Sequence, residues 1–216
     1  MENIIIYSAG LTTRSILEIL NQNNSDYLNS VIGIVDEDKT LIGKEKYGKI
    51  ILSDLDSMKN IINNYNIKNF ILGIGSYKYH LNRYKRYEHL KNLGLKPLSC
   101  ISNKAYISLD SNIGKGNILL PFAMVGSGVN LGENNLIDAS VSILEETIIK
   151  ENVHICSHSF IGACCVIEKN VYIGPGVTIV SGVKIGENSV IGAGSVVMKD
   201  VPKNSKGYGN PFQLIK

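Results

Sequence analysis

From Ile101 onwards every sixth residue is Ile, Leu or Val. The positions are 101, 107, 113, 119, 125, 131, 137, 143, 149, 155, 161, 167, 173, 179, 185, 191 and 197, seventeen in succession. These three residue types make up 66 of the 216 residues, so chance gives such a run with odds of about 10⁻⁸. A period of six belongs to neither a helix nor an ordinary strand. Four places after the repeated aliphatic residue small or β-branched residues dominate, as at Ala105, Ser111, Val129, Val141, Thr147, Ser159, Val177 and Ser195. Glycine often follows the aliphatic residue directly, as at 114, 126, 132, 162, 174, 186 and 192. A unit with one inward aliphatic residue, one inward small residue and a glycine-permitted corner is the repeat of a hexapeptide parallel β-helix. Three units close a triangular coil of 18 residues, so seventeen units make between five and six coils. At ~4.8 Å per coil the prism is roughly 25–30 Å tall.

Stacking makes neighbours predictable, because residues 18 apart lie one above another. His154 is expected between Leu136 and Tyr172, and His158 between Ser140 and Gly176. Glu145 and Glu146 fall at a corner of their coil.

The preceding residues obey a different rule. "NIIIYSA" reads as a buried strand and "LTTRSILEILNQ" as an amphipathic helix. "SVIGIVDED" and "NFILGIG" read as further strands, and "YHLNRYKRYEHLKNLG" as a charged helix closed by Gly94. Strand–helix alternation implies a small parallel sheet of Rossmann type. The expected organisation is a Rossmann-like domain over 1–99 and the β-helix with its tail over 100–216.

A net charge of +3 with 19% charged residues asks for no polyanionic partner. Neither nucleic acid nor membrane is expected. "MENIIIYSAG" lacks the basic start of a signal peptide, and no apolar run is long enough to span a bilayer. Cys100, Cys156, Cys164 and Cys165 show no CxxC spacing and read as reduced thiols of a cytoplasmic protein, with no zinc site expected. Cys165 falls at an inward small position, and neither Cys156 nor Cys164 has an evident activating base.

On "IIIYSAGLTTRSILEIL", "VIGIVDED", "FILGIG", the hexad array and "SVIGAGSVVMKDVPKNSKGYGNP", the chain resembles a family of sugar O-/N-acyltransferases. That family includes sialic acid O-acetyltransferases and nucleotide-amino-sugar N-acetyltransferases. The resemblance implies a left-handed coil, an exception to the usual right-handed crossover. It also implies a homotrimer with active sites between prisms, acetyl-CoA or another acyl-CoA along the prism, and a nucleotide-sugar on the N-terminal domain. Where the family has a Gly-Ala-Gly-Gly-His loop, this chain has Ser8, Ala9, Gly10, Leu11 and Thr12. Asp36 and Glu37 match the acidic pair after the second strand, where carboxylates accept hydrogen bonds from base or ribose. Gly75 matches the glycine after the third strand, and Tyr84 lies near another nucleotide-sugar contact. The catalytic histidine of the family's Ile-x-His-Asp/Glu unit is replaced within "ILEE", so Glu145 stands in its place with Glu146 as its acidic partner. His154 matches the second histidine, which meets the thioester carbonyl. Asp138 replaces an asparagine, and Ala163, Pro175 and Ala193 match backbone that lines the acyl-CoA path. The His-Pro before the prism is missing, as "CISNKA" shows.

Acyl transfer from a thioester needs a nucleophile that loses a proton and a group that stabilises the oxyanion. An amine need only be neutral to attack, and one of two adjacent carboxylates can have its pKa raised to suit such a base. This chemistry favours N-acylation by Glu145 with Glu146 over O-acylation. His158 is an alternative base one corner further on. His80 and His89 belong to the charged helix, whose cations would meet a diphosphate or simply face water. A γ-class carbonic anhydrase shares the prism but needs three histidines around zinc, and only His154 and His158 lie in the prism. The departures at Leu11-Thr12, Ser102-Asn103 and Glu145 leave a second reading, a nucleotide-sugar-binding trimer without catalysis.

Overall fold

The computed structural model describes residues 2–75 and 80–215, with only the backbone of His80 and Leu81. The chain divides into two compact units, Met1–Cys100 and Ile101–Lys216. Among the described residues no helix is long and apolar enough to cross a membrane.

The first unit is a six-stranded sheet. Its elements are β1 (Asn3–Tyr7), α1 (Leu11–Asn23), α2 (Ser25–Ser30), β2 (Val31–Val35), β3 (Glu45–Lys46), β4 (Lys49–Ser53), α3 (Met58–Asn64), β5 (Ile67–Leu72), α4 (His80–Asn92) and β6 (Lys96–Pro97). The sheet order is β3-β4-β2-β1-β5-β6, parallel except for β3 against β4. Ile4, Ile5 and Ile6 are buried because a central parallel strand is covered on both faces. The β3–β4 hairpin lies outside the sequence expectations. Its two-residue loop, Tyr47 and Gly48, has φ of 54° and 76°, the type I′ pattern that matches strand twist. A tyrosine at the first turn position hides that signal from a search for Asn-Gly.

The second unit is a parallel β-helix. Two-residue strands end at each repeated aliphatic residue and fall on three faces. Face one carries Ile118–Leu119, Leu136–Ile137, His154–Ile155, Tyr172–Ile173 and Val190–Ile191. Face two runs through Tyr106–Ile107, Ser142–Ile143 and Phe160–Ile161, and face three through Asn112–Ile113, Ile148–Ile149 and Val166–Ile167. Strands pair with those 18 residues away, so Leu136 lies beside His154 and His154 beside Tyr172, as expected. The repeated aliphatic residues from 119 to 197 are at most 1% exposed and form one core with Val129, Val141, Val153, Cys165, Val171 and Val177. Each such side chain contributes about 1.5–3 kcal/mol. Inward hydroxyls are satisfied within the stack: Thr147 Oγ1 donates to Gly162 O and accepts from Cys165 N. Past the last hexad, Lys206–Tyr208 continues face one in parallel, and Gln213–Leu214 closes it in an antiparallel turn-back.

The corner differs from expectation in one respect. Left-handed φ occurs three places after the aliphatic residue, at every such position from Gly116 to Gly194. Glycines directly after the aliphatic residue are needed for another reason: a Cβ at Gly162 or Gly174 would stand 2.5 Å or 2.7 Å from backbone nitrogen of the next coil. Close stacking, not turn geometry, keeps those positions bare.

One corner carries an asparagine ladder. Asn134 Nδ2 donates to Asn152, Asn152 to Asn170, Asn170 to Asn188 and Asn188 to Asn204, at 2.9–3.0 Å. Asparagine tolerates left-handed φ and also bonds along the stack. Asn152→Ala therefore loses both the ladder bonds and the tolerance, and is expected to lower stability by about 2 kcal/mol, measured by denaturant unfolding.

Candidate active site

Along each face the strand's period of two sends the residues on either side of the inward aliphatic outward. On face one His154 and Cys156 therefore flank Ile155 on the outer surface. Asp138 lies one coil below Cys156, and Tyr172 one coil above His154. The result is a compact polar cluster. His154 Nε2 is 3.2 Å from Asp138 Oδ2 and 3.6 Å from Cys156 Sγ. The Tyr172 hydroxyl lies 3.1 Å from Cys156 Sγ, and its ring meets the His154 ring edge-on at 5.1 Å between centroids. His154 is 4% exposed and Cys156 7%, whereas the Asp138 side chain is 20% exposed, so the cluster opens on the Asp138 side. Burial pushes the Cys156 thiol up to about 12, against the hydrogen bond it shares with Tyr172, so it is not a ready thiolate nucleophile. Asp138 was expected from the sequence as a substrate contact, and the structure makes it the partner of His154. Cys156 and Tyr172 carried no assignment, although the 18-residue period applied to Asp138 already leads to Cys156.

Glu145 and Glu146 lie elsewhere. They are exposed at the corner between faces two and three, a full face away from His154. Glu146 has φ of 54° at a corner position filled in the neighbouring coils by Gly128, Cys164 and Gly182. Its carboxylate rests over Gly128, where a Cβ would come within 2.4 Å of Oε1. Left-handed φ is the rule at this corner position, and Phe122 (φ 64°), Ser140 (φ 59°), His158 (φ 60°) and Cys164 (φ 57°) adopt it as well. Ala163 stacks directly above Glu145 on this corner, with its N–H donating to Ser181 Oγ at 3.1 Å. Pro175 and Ala193 are exposed and stack on the corner between faces one and two, the corner that also carries His158. The expected acyl-CoA-lining residues therefore divide between two corners.

In the first unit, two cavities open beside the C-terminal ends of β1 and β5, where the order of strands reverses about β1. Such a crevice is the usual ligand position in parallel sheets. One, of ≈ 310 Å³, is lined by Tyr7, Ser8, Asp36, Glu37, Asp38, Ile74 and Asn82. The other, of ≈ 270 Å³, is lined by Ser8, Gly10, Leu11, Thr12, Gly73, Ile74 and Gly75. Gly10 caps α1 with no side-chain hydrogen bond; Thr13 N donates to Gly10 O, and Leu11 and Thr12 at the helix start line the second cavity. The acidic pair is engaged within the chain. Asp36 accepts from Ala9 N at 2.6 Å and from Asp38 N at 2.9 Å, holding the loop after β1. Glu37 accepts from the Tyr7 hydroxyl at 2.8 Å and from Arg86. The Arg86 hydrogen bond holds the Glu37 carboxyl below its ordinary range. Burial first, then the Glu37 contact, raises the Tyr7 phenol. Tyr84 is exposed on α4 and lines neither cavity. His89 is exposed on the same helix, and the His80 side chain lies outside the described residues.

Fold and sites together define a hexapeptide-repeat β-helix protein carrying a Rossmann-like unit. The bacterial transferase hexapeptide model (six repeats) matches residues 164–199. No curated protein matches the sequence. Among solved structures, a His-to-Ala mutant of GDP-perosamine N-acetyl transferase from Caulobacter crescentus, in complex with CoA and GDP-perosamine, superimposes with a TM-score of 0.90 at 18% identity. It covers 100% of this chain and 98% of that one. The acetyltransferase domain of PglB from Neisseria gonorrhoeae gives 0.87 at 20% identity, and WeeI from Acinetobacter baumannii 0.88 at 22%, each over 100% of both chains. The shared fold is an α/β unit followed by a left-handed parallel β-helix.

Proposed function

We propose that the protein is an acyltransferase that moves an acetyl or other short acyl group from acyl-CoA to the amine of a nucleotide-linked amino sugar. The observation that carries this reading is the likeness, over the whole chain, to a GDP-perosamine N-acetyl transferase holding CoA and GDP-perosamine and to the acetyltransferase domain of PglB. The cavities at Gly10, Leu11, Thr12, Asp36, Glu37 and Gly75 take the nucleotide-sugar. Acyl-CoA runs past Ala163, Pro175 and Ala193. His154, its Nε2 held by Asp138, donates to the thioester carbonyl from Nδ1 in its doubly protonated form. The amine nitrogen bonds to the carbonyl carbon, the C–S bond breaks, CoA leaves as the thiolate, and the amine proton passes to Glu145 with Glu146.

Glu145 and His154 stand a face apart on one prism, so the reading needs a corner of one chain beside face one of another. A homotrimer supplies that, and exposed Tyr106, Ile148 and Phe160 on faces two and three are apolar surface for it to cover. Light scattering at monomer mass would sink the shared site. A cytoplasmic location fits the four free cysteines, which stay reduced there.

The test is CoA thiol release from acetyl-CoA against nucleotide-linked amino sugars, with hydroxyl analogues alongside and ligand-induced melting shifts recorded in parallel. Release with an amino sugar supports the reading, and release with only the hydroxyl analogues replaces it by O-acylation. A melting shift with no release favours the binding trimer, for which the departures at Leu11-Thr12 and Glu145 speak. Glu145→Ala is expected to lower kcat by roughly 10–100-fold, because a neutral amine attacks without prior deprotonation and needs less of its base than a hydroxyl does. Unchanged turnover removes Glu145 as proton acceptor.

A further inference from the structure

We propose that Asp138, His154 and Cys156 form a binding site for one divalent transition-metal ion of the zinc type. Their donor atoms Oδ2, Nε2 and Sγ all lie within 4.8 Å of one another. A tetrahedral zinc ion, with bonds of about 2.1 Å to nitrogen and oxygen and about 2.3 Å to sulfur, separates its ligands by roughly 3.4 Å (N to O) and 3.6 Å (N to S). The spacings here are 3.2 Å and 3.6 Å.

The direction of the contacts distinguishes a metal site from a proton relay. A relay strings an imidazole between its partners through its two nitrogens. Here both the carboxylate and the thiol meet the same Nε2, so three donors converge on one point. Thiolate, imidazole and carboxylate together suit zinc and its neighbour cobalt, whereas magnesium and calcium take oxygen ligands. Two donors are almost wholly buried and the third is partly open, which leaves a fourth position for water or an oxygen ligand. Tyr172 supplies an outer layer, with its hydroxyl on Sγ and its ring edge against the imidazole. Such outer contacts orient metal ligands. The linear spacing of the cysteines argued against a zinc site, but the coil assembles this one from residues that are neighbours only through 18-residue stacking.

The inference stands on the three donors and does not require acyl transfer. A seated ion occupies Nε2, so the metal-loaded and metal-free proteins present two different faces to an oxygen ligand. Thiol release measured in each state separates the failure of one proposal from the failure of the other.

The experiment is titration of the full chain with CoCl₂ and then ZnCl₂. The expected result is one cobalt per chain, with the near-ultraviolet charge-transfer band of a thiolate ligand and the intense visible bands of tetrahedral geometry, both displaced by zinc. Cys156→Ser should abolish the charge-transfer band, and Asp138→Asn should weaken binding by at least about 10-fold. Cys164→Ser, which alters an exposed thiol on another corner, should leave the spectrum alone. X-ray absorption of the zinc-loaded wild type gives an answer that no variant's folding can disturb: one sulfur among nitrogen and oxygen scatterers. No stoichiometric uptake, a charge-transfer band that survives Cys156→Ser, or a zinc shell without sulfur overturns the proposal.

Discussion

His154→Ala is expected to lower kcat for acyl transfer by about 10²–10³-fold, with a much smaller change in KM for acyl-CoA. The imidazole is almost fully buried on face one, and Asp138 at 3.2 Å fixes its ring. A donor held in this way needs no reorganisation when charge develops on the thioester oxygen, the condition under which one hydrogen bond has its largest effect. The loss should appear in kcat, because the bond to the oxyanion is stronger than the bond to the ground-state carbonyl. His154→Gln retains an N–H donor and should recover part of the rate. Asp138→Asn should fall between wild type and His154→Ala, since it loosens the ring without removing it. Steady-state kinetics of the four proteins decides the matter. A drop confined to KM, or none, would show that His154 does not stabilise the reacting carbonyl.

The largest effect on stability is expected from Gly162→Val. An ideal Cβ at Gly162 stands 2.5 Å from Ser181 N and 2.8 Å from its Cα, and backbone cannot swing aside as a flexible side chain can. The coil cannot lift either. Gly162 N donates to Ile179 O and Gly162 O accepts from Thr147, both at 2.9 Å. Overpacking of this kind costs about 3 kcal/mol, or roughly 6–12 °C in Tm for a chain of this size. Gly176→Ala is the contrast. Gly176 has φ of 66° but nothing within 4 Å of its Cβ position, so alanine there suffers only backbone strain, about 1 kcal/mol. Calorimetry of the two variants separates close approach from turn geometry as the reason for each glycine. Equal losses would refute the distinction.

Much of the architecture was legible before any coordinates. Seventeen aliphatic residues at a strict period of six, with small residues four places on and glycines beside them, fit a stacked triangular coil, because three such units per coil bring each aliphatic residue inward above the one 18 residues before it. The same period correctly made His154 the neighbour of Leu136 and Tyr172. In the first unit, β1, β2, β5, α1 and α4 follow from apolar runs, whereas the β3–β4 hairpin does not. β3 has only two residues, β4 is partly exposed, and the turn is formed by Tyr47 and Gly48.

The candidate site divides along the same line. Which residues point outward from each coil follows from the sequence, since strand alternation and the 18-residue stack are both readable from it. Only the tertiary structure decided how those side chains meet. It joined Asp138 to His154 and Cys156 on one nitrogen, tied Asp36 and Glu37 to partners inside their own unit, and kept Glu145 a full face from His154. A repeat determines where each Cα lies, because backbone hydrogen bonds and core packing hold the coil in register. Side-chain direction is determined by burial, rotamer and the nearest polar partner, and those depend on neighbours from other coils that no local pattern specifies.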